Sequence, residues 1–329
     1  MTGKRYAIYG AGGVGASLGA QLVRAGRDVR LIARGDHLRA MREQGLLYRT
    51  PARSERLRIP AFGDPEEAGL EAGDAVVLAM KTQDSLEALR ELERTGIRDL
   101  AILCAQNGVH NEQLALRRFE RVYGLAIWIP ASFTEAGVVS NFAPAAPIDL
   151  GRIPSGSDED AARYVADLCE AGFDARLRAN VLDWKYTKLL TNVQTTLDAI
   201  CGSREGLGDV CERVTAEVEA CYAAAGIRTI SHEEHGERIE SAGRAMGKID
   251  GLTRKGGSST QSIGRGLGSI ETDYINGEIV LLGRLHGVPT PANATLQAEA
   301  NAMATLGSKA QPLPAAELRR RIQAASDRP

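Results

Sequence analysis

The chain is 329 residues long, 43% apolar and 25% charged, an ordinary globular profile with more length than one hydrophobic core comfortably holds, so two domains are expected. Its 40 basic and 42 acidic residues leave a net charge of −2, which offers no general attraction to nucleic acid or an anionic membrane and makes a small molecule the expected partner. No apolar run approaches the length of a bilayer span, and the N-terminus enters a strand without a charged-then-apolar leader, so a cytoplasmic protein is expected.

The first element carries the strongest motif. The apolar run Tyr6-Ala7-Ile8-Tyr9 leads directly into Gly10-Ala11-Gly12-Gly13-Val14-Gly15 and then a helical pattern, Ala16 to Ala25, ended by Gly26. In such a strand-turn-helix, Gly10 permits the tight turn, Gly12 lets the backbone approach a pyrophosphate, and Gly15 lets the helix lie close to the strand, with Gly13 in the same cofactor-binding set. The phosphates then sit at the positive N-terminus of the helix. A glycine-rich turn with no ligand has the same composition, but it does not explain the flanking strand and helix.

Val29 to Ala33 reads as a second strand, and the residue at its end selects the dinucleotide. That position falls on Arg34, whose guanidinium suits a 2′-phosphate and therefore NADP(H). Asp28 at the strand's start and Asp36 beyond the turn keep NAD open as the alternative. Strand-like runs follow at Ala75 to Ala79, Leu100 to Leu103 and Val122 to Ile127, with helical segments between several of them, which implies a parallel, doubly wound sheet. Lys81 follows the strand Val76 to Met80 at the nucleotide-binding edge, where it adds positive charge or simply opens a helix in solvent. Asn107 ends another strand at the same edge, within reach of the nicotinamide ribose or a substrate, although Asn107-Gly108 is also a common turn dipeptide. Between Ser132 and Leu150 short pieces around Gly137 and a Pro-rich stretch suggest antiparallel strands at the far side of the sheet, and Asp158 to Leu177 supplies a last helix and short strand.

From Val181 the pattern turns helical, with periodic stretches at Val181 to Ile200, Val210 to Ala225, Ile270 to His286 and Ala292 to Leu306. Between them the glycine-rich region Gly243 to Gly268 reads either as a connector or as a binding loop. The expected division is therefore α/β: residues 1–179 a Rossmann-type dinucleotide-binding domain, residues 180–310 an all-helical substrate domain, and residues 311–329 a tail read as a solvated terminal helix. Cys104, Cys169, Cys201, Cys211 and Cys221 are odd in number and widely spaced, which argues against disulfides or zinc and for small buried apolar residues. His232 and His235 lack a matching third ligand, so no metal is expected.

Several of these segments together resemble the ketopantoate reductase (2-dehydropantoate 2-reductase) family: Gly10 to Gly15, Val29 to Gly35, Lys81, Asn107-Gly108, Lys188-Leu189-Leu190-Thr191-Asn192, Ser258-Ser259 and Glu271-Thr272-Asp273-Tyr274-Ile275-Asn276-Gly277. The resemblance covers nearly the whole chain in the right order. It implies a Rossmann domain joined to a helical domain, and NADPH-dependent reduction of ketopantoate to pantoate on the route to pantothenate and coenzyme A. It assigns Arg34 and Lys81 to the 2′-phosphate end of the cofactor and Asn107 to cofactor and substrate. Lys188 matches the catalytic lysine, Asn192 a substrate-binding asparagine, Ser259 a substrate-contacting serine and Glu271 the functional glutamate. Where many relatives carry a second asparagine, this chain has Thr195-Thr196, which leaves the substrate's side-chain pocket open.

The residues themselves support that chemistry. Lys188 and Asn192 are four apart on a predicted helix and point from one face. Reduction of a ketone builds negative charge on oxygen, and an ammonium both stabilises that charge and surrenders a proton. Partial burial or neighbouring positive charge would lower the Lys188 pKa toward neutrality. Asn192 then orients a substrate oxygen, Glu271 near a helix start accepts from a substrate hydroxyl or a cofactor ribose, and Ser259 binds a carboxylate. Lysine and asparagine at this spacing also make an ordinary solvated face, and a glutamate there an ordinary dipole partner. A related β-hydroxyacid dehydrogenase and a non-catalytic NADP(H) sensor are the competing readings, and a homodimer is compatible with either.

Overall fold

A computed structural model of the chain describes residues 5–252 and 269–327, which fall into two compact units. The first comprises residues 5–107, 111–185 and 230–252, and the second residues 108–110, 186–229 and 269–327.

The first unit opens with β1 (Tyr6–Tyr9), α1 (Gly13–Arg24), β2 (Val29–Ile32) and α2 (Gly35–Gln44). Next come β3 (Leu46–Arg49), β4 (Ser54–Leu57), β5 (Ala61–Phe62), β6 (Ala75–Leu78), α3 (Ser85–Arg94), β7 (Ala101–Cys104) and α4 (His110–Leu116). It continues through β8 (Arg121–Ile127), β9 (Ala131–Glu135), β10 (Val138–Asn141), β11 (Pro147–Arg152), α5 (Glu159–Glu170) and β12 (Asp174–Leu177). Among the described residues the main sheet has the order β12-β11-β8-β7-β6-β1-β2-β5, parallel except where β11 runs antiparallel to β8. Its central strands are buried on both faces because alternate side chains face opposite helical layers. Tyr6 and Ile8 join Leu18 and Leu22 of α1 in one core, whereas Ala7 and Tyr9 join Leu89 and Leu92 of α3 in the other. The chain order reverses between β1 and β6, and open parallel sheets bind ligands at such a reversal, beyond the carboxyl ends of the strands.

The antiparallel pieces expected at the far side of the main sheet go elsewhere. β9 and β10 pair with β3 and β4 in a separate four-stranded sheet, joined through the parallel register Val138↔Leu47, and only β11 enters the main sheet. That pairing closes over ninety intervening residues, so local patterning does not reveal it.

The second unit contains the later part of α6 (Val181–Asn192), α7 (Thr195–Cys201), α8 (Gly208–Ala225), α10 (Asn276–His286), α11 (Pro291–Leu306) and α12 (Ala315–Ser326). Leu189, Val193, Leu197, Val214, Val218, Ile279, Leu296 and Ala300 form its core. The periodic stretch read as one helix over 181–200 breaks between Asn192 and Thr195. Thr191, Val193, Thr195 and Thr196 crowd that stretch with β-branched side chains, and the hydroxyl of Thr195 donates to the Asn192 carbonyl at 2.7 Å. The last helix, expected to be solvated, buries Leu318 and Ile322 in the same core and keeps Arg320 exposed. Among the cysteines Cys104 and Cys221 are buried, but Cys201 and Cys211 are half-buried and Cys169 is exposed on α5, contrary to the expectation for all five. Among the described residues no helix is long and apolar enough to cross a membrane, and no three His, Cys, Asp or Glu side chains are grouped to hold a metal ion.

α9 (His232–Ala245), lying in sequence between helices of the second unit, packs in the first. An ion cluster built on the fully buried pair Arg238 and Asp149 accounts for it. Arg238 donates from Nε to Asp149 Oδ2 at 2.9 Å, pairs with the Asp174 carboxylate, and reaches the Asp174 carbonyl at 3.0 Å, while Asp149 also accepts from Arg178 at 2.7 Å. Removing one member of such a buried cluster leaves an uncompensated charge and costs about 3–5 kcal/mol. Arg238→Ala is therefore expected to lower the stability of the first unit by that amount in urea titrations, and an unchanged midpoint would contradict this role.

Candidate active site

In the first unit, four of the seven positions singled out from sequence follow neighbouring strands. Gly10 follows β1, Arg34 follows β2, Lys81 follows β6 and Asn107 follows β7, and these strands are adjacent in the order β2-β1-β6-β7. Gly10 has φ +97°, and its N–H and that of Ala11 donate to the Ile32 carbonyl at 3.0 and 3.2 Å. A Cβ on Gly10 would lie 2.4 Å from the Met80 nitrogen, and one on Gly15 would lie 2.2 Å from the Gly10 carbonyl oxygen. Those two glycines are required by the protein's own packing. Gly13 is intermediate, with its hypothetical Cβ 3.2 Å from that of Ala131.

Gly12 is different. Nothing lies within 4 Å of where its Cβ would stand, and its φ of −74° suits any residue. The residue is also the N-cap of α1, where no side chain caps the helix and no acid occupies the first turn. Uncapped N–H groups at a helix start favour an anion, and open ground at Gly12 lets one approach the backbone. The residues present thus fit the pyrophosphate of a dinucleotide.

Arg34 is the N-cap of α2, with its side chain 61% exposed, and its Nη2 donates to Glu91 Oε1 at 3.0 Å. Asp36 pairs with Arg39 on the surface of α2, and the Asp28 carbonyl receives the Tyr6 N–H at the opposite end of the strands. Lys81 precedes a 3-10 turn, Thr82–Asp84, and is half-buried, as is Asn107.

Sequence reasoning missed two supports of this edge. Buried His37, on α2, bonds the Ala11 carbonyl through Nε2 at 2.7 Å, while the Gly137 N–H donates to its Nδ1 at 2.9 Å. This pattern requires the neutral ring, and burial pushes the His37 pKa down from its ordinary value, partly offset by the Ala11 bond. Lys185, also buried, donates to the Gln106 carbonyl at 3.1 Å and pairs with buried Glu112, which pins the peptide preceding Asn107. A histidine five residues past the second strand and a lysine one turn before Lys188 were the available signals.

In the second unit Lys188 and Asn192 are half-buried on α6, and Glu271, only 5% exposed, opens a 3-10 turn, Glu271–Tyr274, rather than the helix itself. That turn is tied to the helices through Asn276, another residue without a role assigned from sequence. Its Oδ1 accepts from Thr196 at 2.6 Å and lies 3.4 Å from the Thr272 hydroxyl, while its Nδ2 donates to the Val193 carbonyl and to Asn293 Oδ1, each at 3.1 Å. The two threonines in place of a second asparagine are thus both engaged inside the protein. Gly108, φ +74°, lies so close to the same turn that a Cβ would stand 2.8 Å from the Tyr274 carbonyl oxygen. Ser259 lies outside the described residues.

The sequence matches the ketopantoate reductase PanE/ApbA family over residues 6–155 and the C-terminal part of that family over residues 180–304. The chain belongs to the ketopantoate reductase family. The family is one of oxidoreductases, and it is the family the sequence motifs resemble. A relative from Pyrococcus horikoshii, 2-dehydropantoate 2-reductase, is 26% identical over 91% of this chain and 97% of its own length. The crystal structure of a PanE/ApbA family ketopantoate reductase from Ralstonia eutropha superposes with a TM-score of 0.77 at 26% identity, covering 92% of this chain and 98% of that one. D-mandelate dehydrogenase, solved with NADH and anilino(oxo)acetate, shares the fold with a TM-score of 0.76 at 22% identity, over 91% of this chain and 98% of its own.

The contrast among glycines gives a test. Gly12→Ala is expected to fold with a thermal midpoint near that of the wild type but to bind reduced dinucleotide at least about tenfold more weakly, whereas Gly15→Ala loses stability itself. Normal binding by Gly12→Ala in calorimetric titration would refute the cradle. His37 gives a second. Because burial lowers its pKa in the folded state, its contribution is complete above the ordinary value of 6.5 and is lost as pH falls toward the lowered one. From about pH 7 to about pH 5 the wild-type melting temperature should therefore fall more steeply than that of His37→Gln, and equal slopes would assign the acid sensitivity to other groups.

Proposed function

We propose that this ketopantoate reductase family member catalyses NADPH-dependent reduction of a 2-oxo acid, ketopantoate to pantoate, the step that serves pantothenate and coenzyme A synthesis. The observation that carries the proposal is the Asn276 network, which bonds the turn bearing Glu271 to the helices beside Lys188 and Asn192. Three groups of complementary chemistry are thereby held in one unit.

A reduced nicotinamide, when bound, supplies the hydride that adds to the substrate's carbonyl carbon. Gly10, Gly12, Gly13 and Gly15 form the cradle for its pyrophosphate, and Arg34 and Lys81 take the 2′-phosphate. As charge develops on the substrate's carbonyl oxygen, the Lys188 ammonium stabilises it and transfers the proton that completes the hydroxyl. Asn192 and Asn107 orient the substrate, Ser259 receives its carboxylate, and Glu271 accepts from a substrate hydroxyl or the nicotinamide ribose.

A second reading keeps the chemistry and changes the acid. It is favoured by Thr195 and Thr196, whose hydroxyls bond to Asn192 and Asn276 and leave the substrate pocket without a second asparagine. A panel of 2-oxo acids, followed by NADPH oxidation, separates the two. Ketopantoate should turn over with the highest kcat/KM, and a clear preference for another 2-oxo acid would select the second reading. Lys188→Ala should lower kcat by about 10²–10⁴-fold while cofactor affinity stays within about twofold, the range expected for loss of a general acid. Wild-type turnover in that variant would remove Lys188 from the mechanism.

A further inference from the structure

Arg34 already has an anionic partner. Its Nη2 donates to Glu91 Oε1 at 3.0 Å and lies 3.5 Å from the Tyr9 hydroxyl, and the other carboxylate oxygen of Glu91 accepts from Tyr9. Tyr9 is the last residue of β1, adjoining Gly10, and is 4% exposed. Glu91 sits on α3 between Leu89 and Leu92, both buried in the core beneath the sheet, and its side chain is 19% exposed against 61% for Arg34. A second cation, Arg94, lies 3.9 Å from the same Glu91 oxygen but is closer to Glu87, at 3.1 Å. The carboxylate is thus the anchored member of the pair and the guanidinium the exposed one.

We propose that Glu91 is a selectivity brake at this edge, competing with a cofactor's 2′-phosphate for the Arg34 guanidinium and so narrowing the preference for NADPH over NADH. The proposal rests on the reading of Arg34 as the 2′-phosphate contact. A phosphate approaching Arg34 must share or displace Glu91, and the two anions repel at short range. NADH has only a hydroxyl at that position and meets neither effect. Glutamine at 91 keeps an acceptor for Nη2 and a partner for Tyr9 while removing the charge, so it separates competition from orientation. Glu91 touches the cofactor through Arg34 and is a positioning residue.

The test measures NADPH and NADH dissociation constants, by fluorescence of the reduced nicotinamide, for wild type, Glu91→Gln, Glu91→Ala, Arg34→Ala and the Arg34→Ala/Glu91→Gln pair. An exposed ion pair is weak, which sets the scale: Glu91→Gln should tighten NADPH about three- to tenfold and leave NADH within about twofold. Glu91→Ala should share the sign, and the gain should shrink as salt is raised. In the Arg34→Ala background the gain from Glu91→Gln should fall below about twofold, because the residue through which Glu91 acts is gone. An unchanged or weakened NADPH affinity in Glu91→Gln, with wild type still preferring NADPH and Arg34→Ala losing that preference, would overturn the brake alone. If wild type binds both cofactors equally and Arg34→Ala alters neither, the Arg34 reading and the brake fall together.

Discussion

The approach of α1 to the turn after β1 is the constraint on which the nucleotide edge depends. At Gly15 the helix comes so near the Gly10 carbonyl oxygen that a single carbon would stand 2.2 Å from it, and at Gly19 a carbon would meet Leu31 at 2.8 Å. The two glycines are four apart and share a face, so the whole inner side of the helix is flattened against the sheet. Glycine inside a helix gives up roughly 0.5–1 kcal/mol relative to alanine, and the burial of Ile8, Leu18, Leu22 and Leu31 around this contact outweighs it. Once the helix is fixed so closely, its first N–H groups are aimed at one place. His37 then braces the Ala11 carbonyl from the far side, so the turn is held by packing on one flank and by a neutral imidazole on the other.

The second unit is organised by hydrogen bonds where the first relies on close packing. Asn276 and Asn293 are fully buried, and Asn293 donates from Nδ2 to Glu217 and to the Val214 carbonyl. Glu217 in turn accepts from the Ala292 and Asn293 N–H groups at 2.8 and 2.9 Å, capping α11, whose own N-cap residue Thr290 makes no side-chain cap. A carboxylate at a helix start is favourable, and in a buried setting the bonds strengthen one another. The break between α6 and α7 fits the same scheme. Its freed carbonyls at Asn192 and Val193 are taken up by Thr195 and Asn276, so the irregular backbone beside Asn192 leaves neither of them unsatisfied.

What was legible in the sequence follows from the range of the interactions. The glycine loop, the strand-helix alternation and the i,i+4 spacing of Lys188 and Asn192 are local, and each has a period or a turn that composition reveals. The second sheet depends on Leu47 finding Val138, and α9 reaches the first unit through Arg238 meeting Asp149, pairings that no local period encodes. Arg238 and Glu91 each look like solvated helix charges in sequence. What distinguishes them is a partner 89 and 57 residues away. Asn276 lay inside a segment singled out from sequence, yet its partners are internal, which the motif did not disclose.

α6 presents the same distinction within one turn. Lys185 and Lys188 are three residues apart on one helix, and only Lys188 was singled out from sequence, through its spacing to Asn192 and the family resemblance. Lys185 is buried against Glu112 and the Gln106 carbonyl, so its charge is neutralised by a fixed carboxylate and its protons are committed to two acceptors. Taking a proton from it would leave Glu112 buried without its counterion, which opposes any role as a donor to substrate. Lys188, half-buried on the next turn, is less enclosed than Lys185, which suits the acid role proposed for it. Burial therefore separates the two neighbouring lysines, and the buried one contributes by holding the peptide that leads into Asn107.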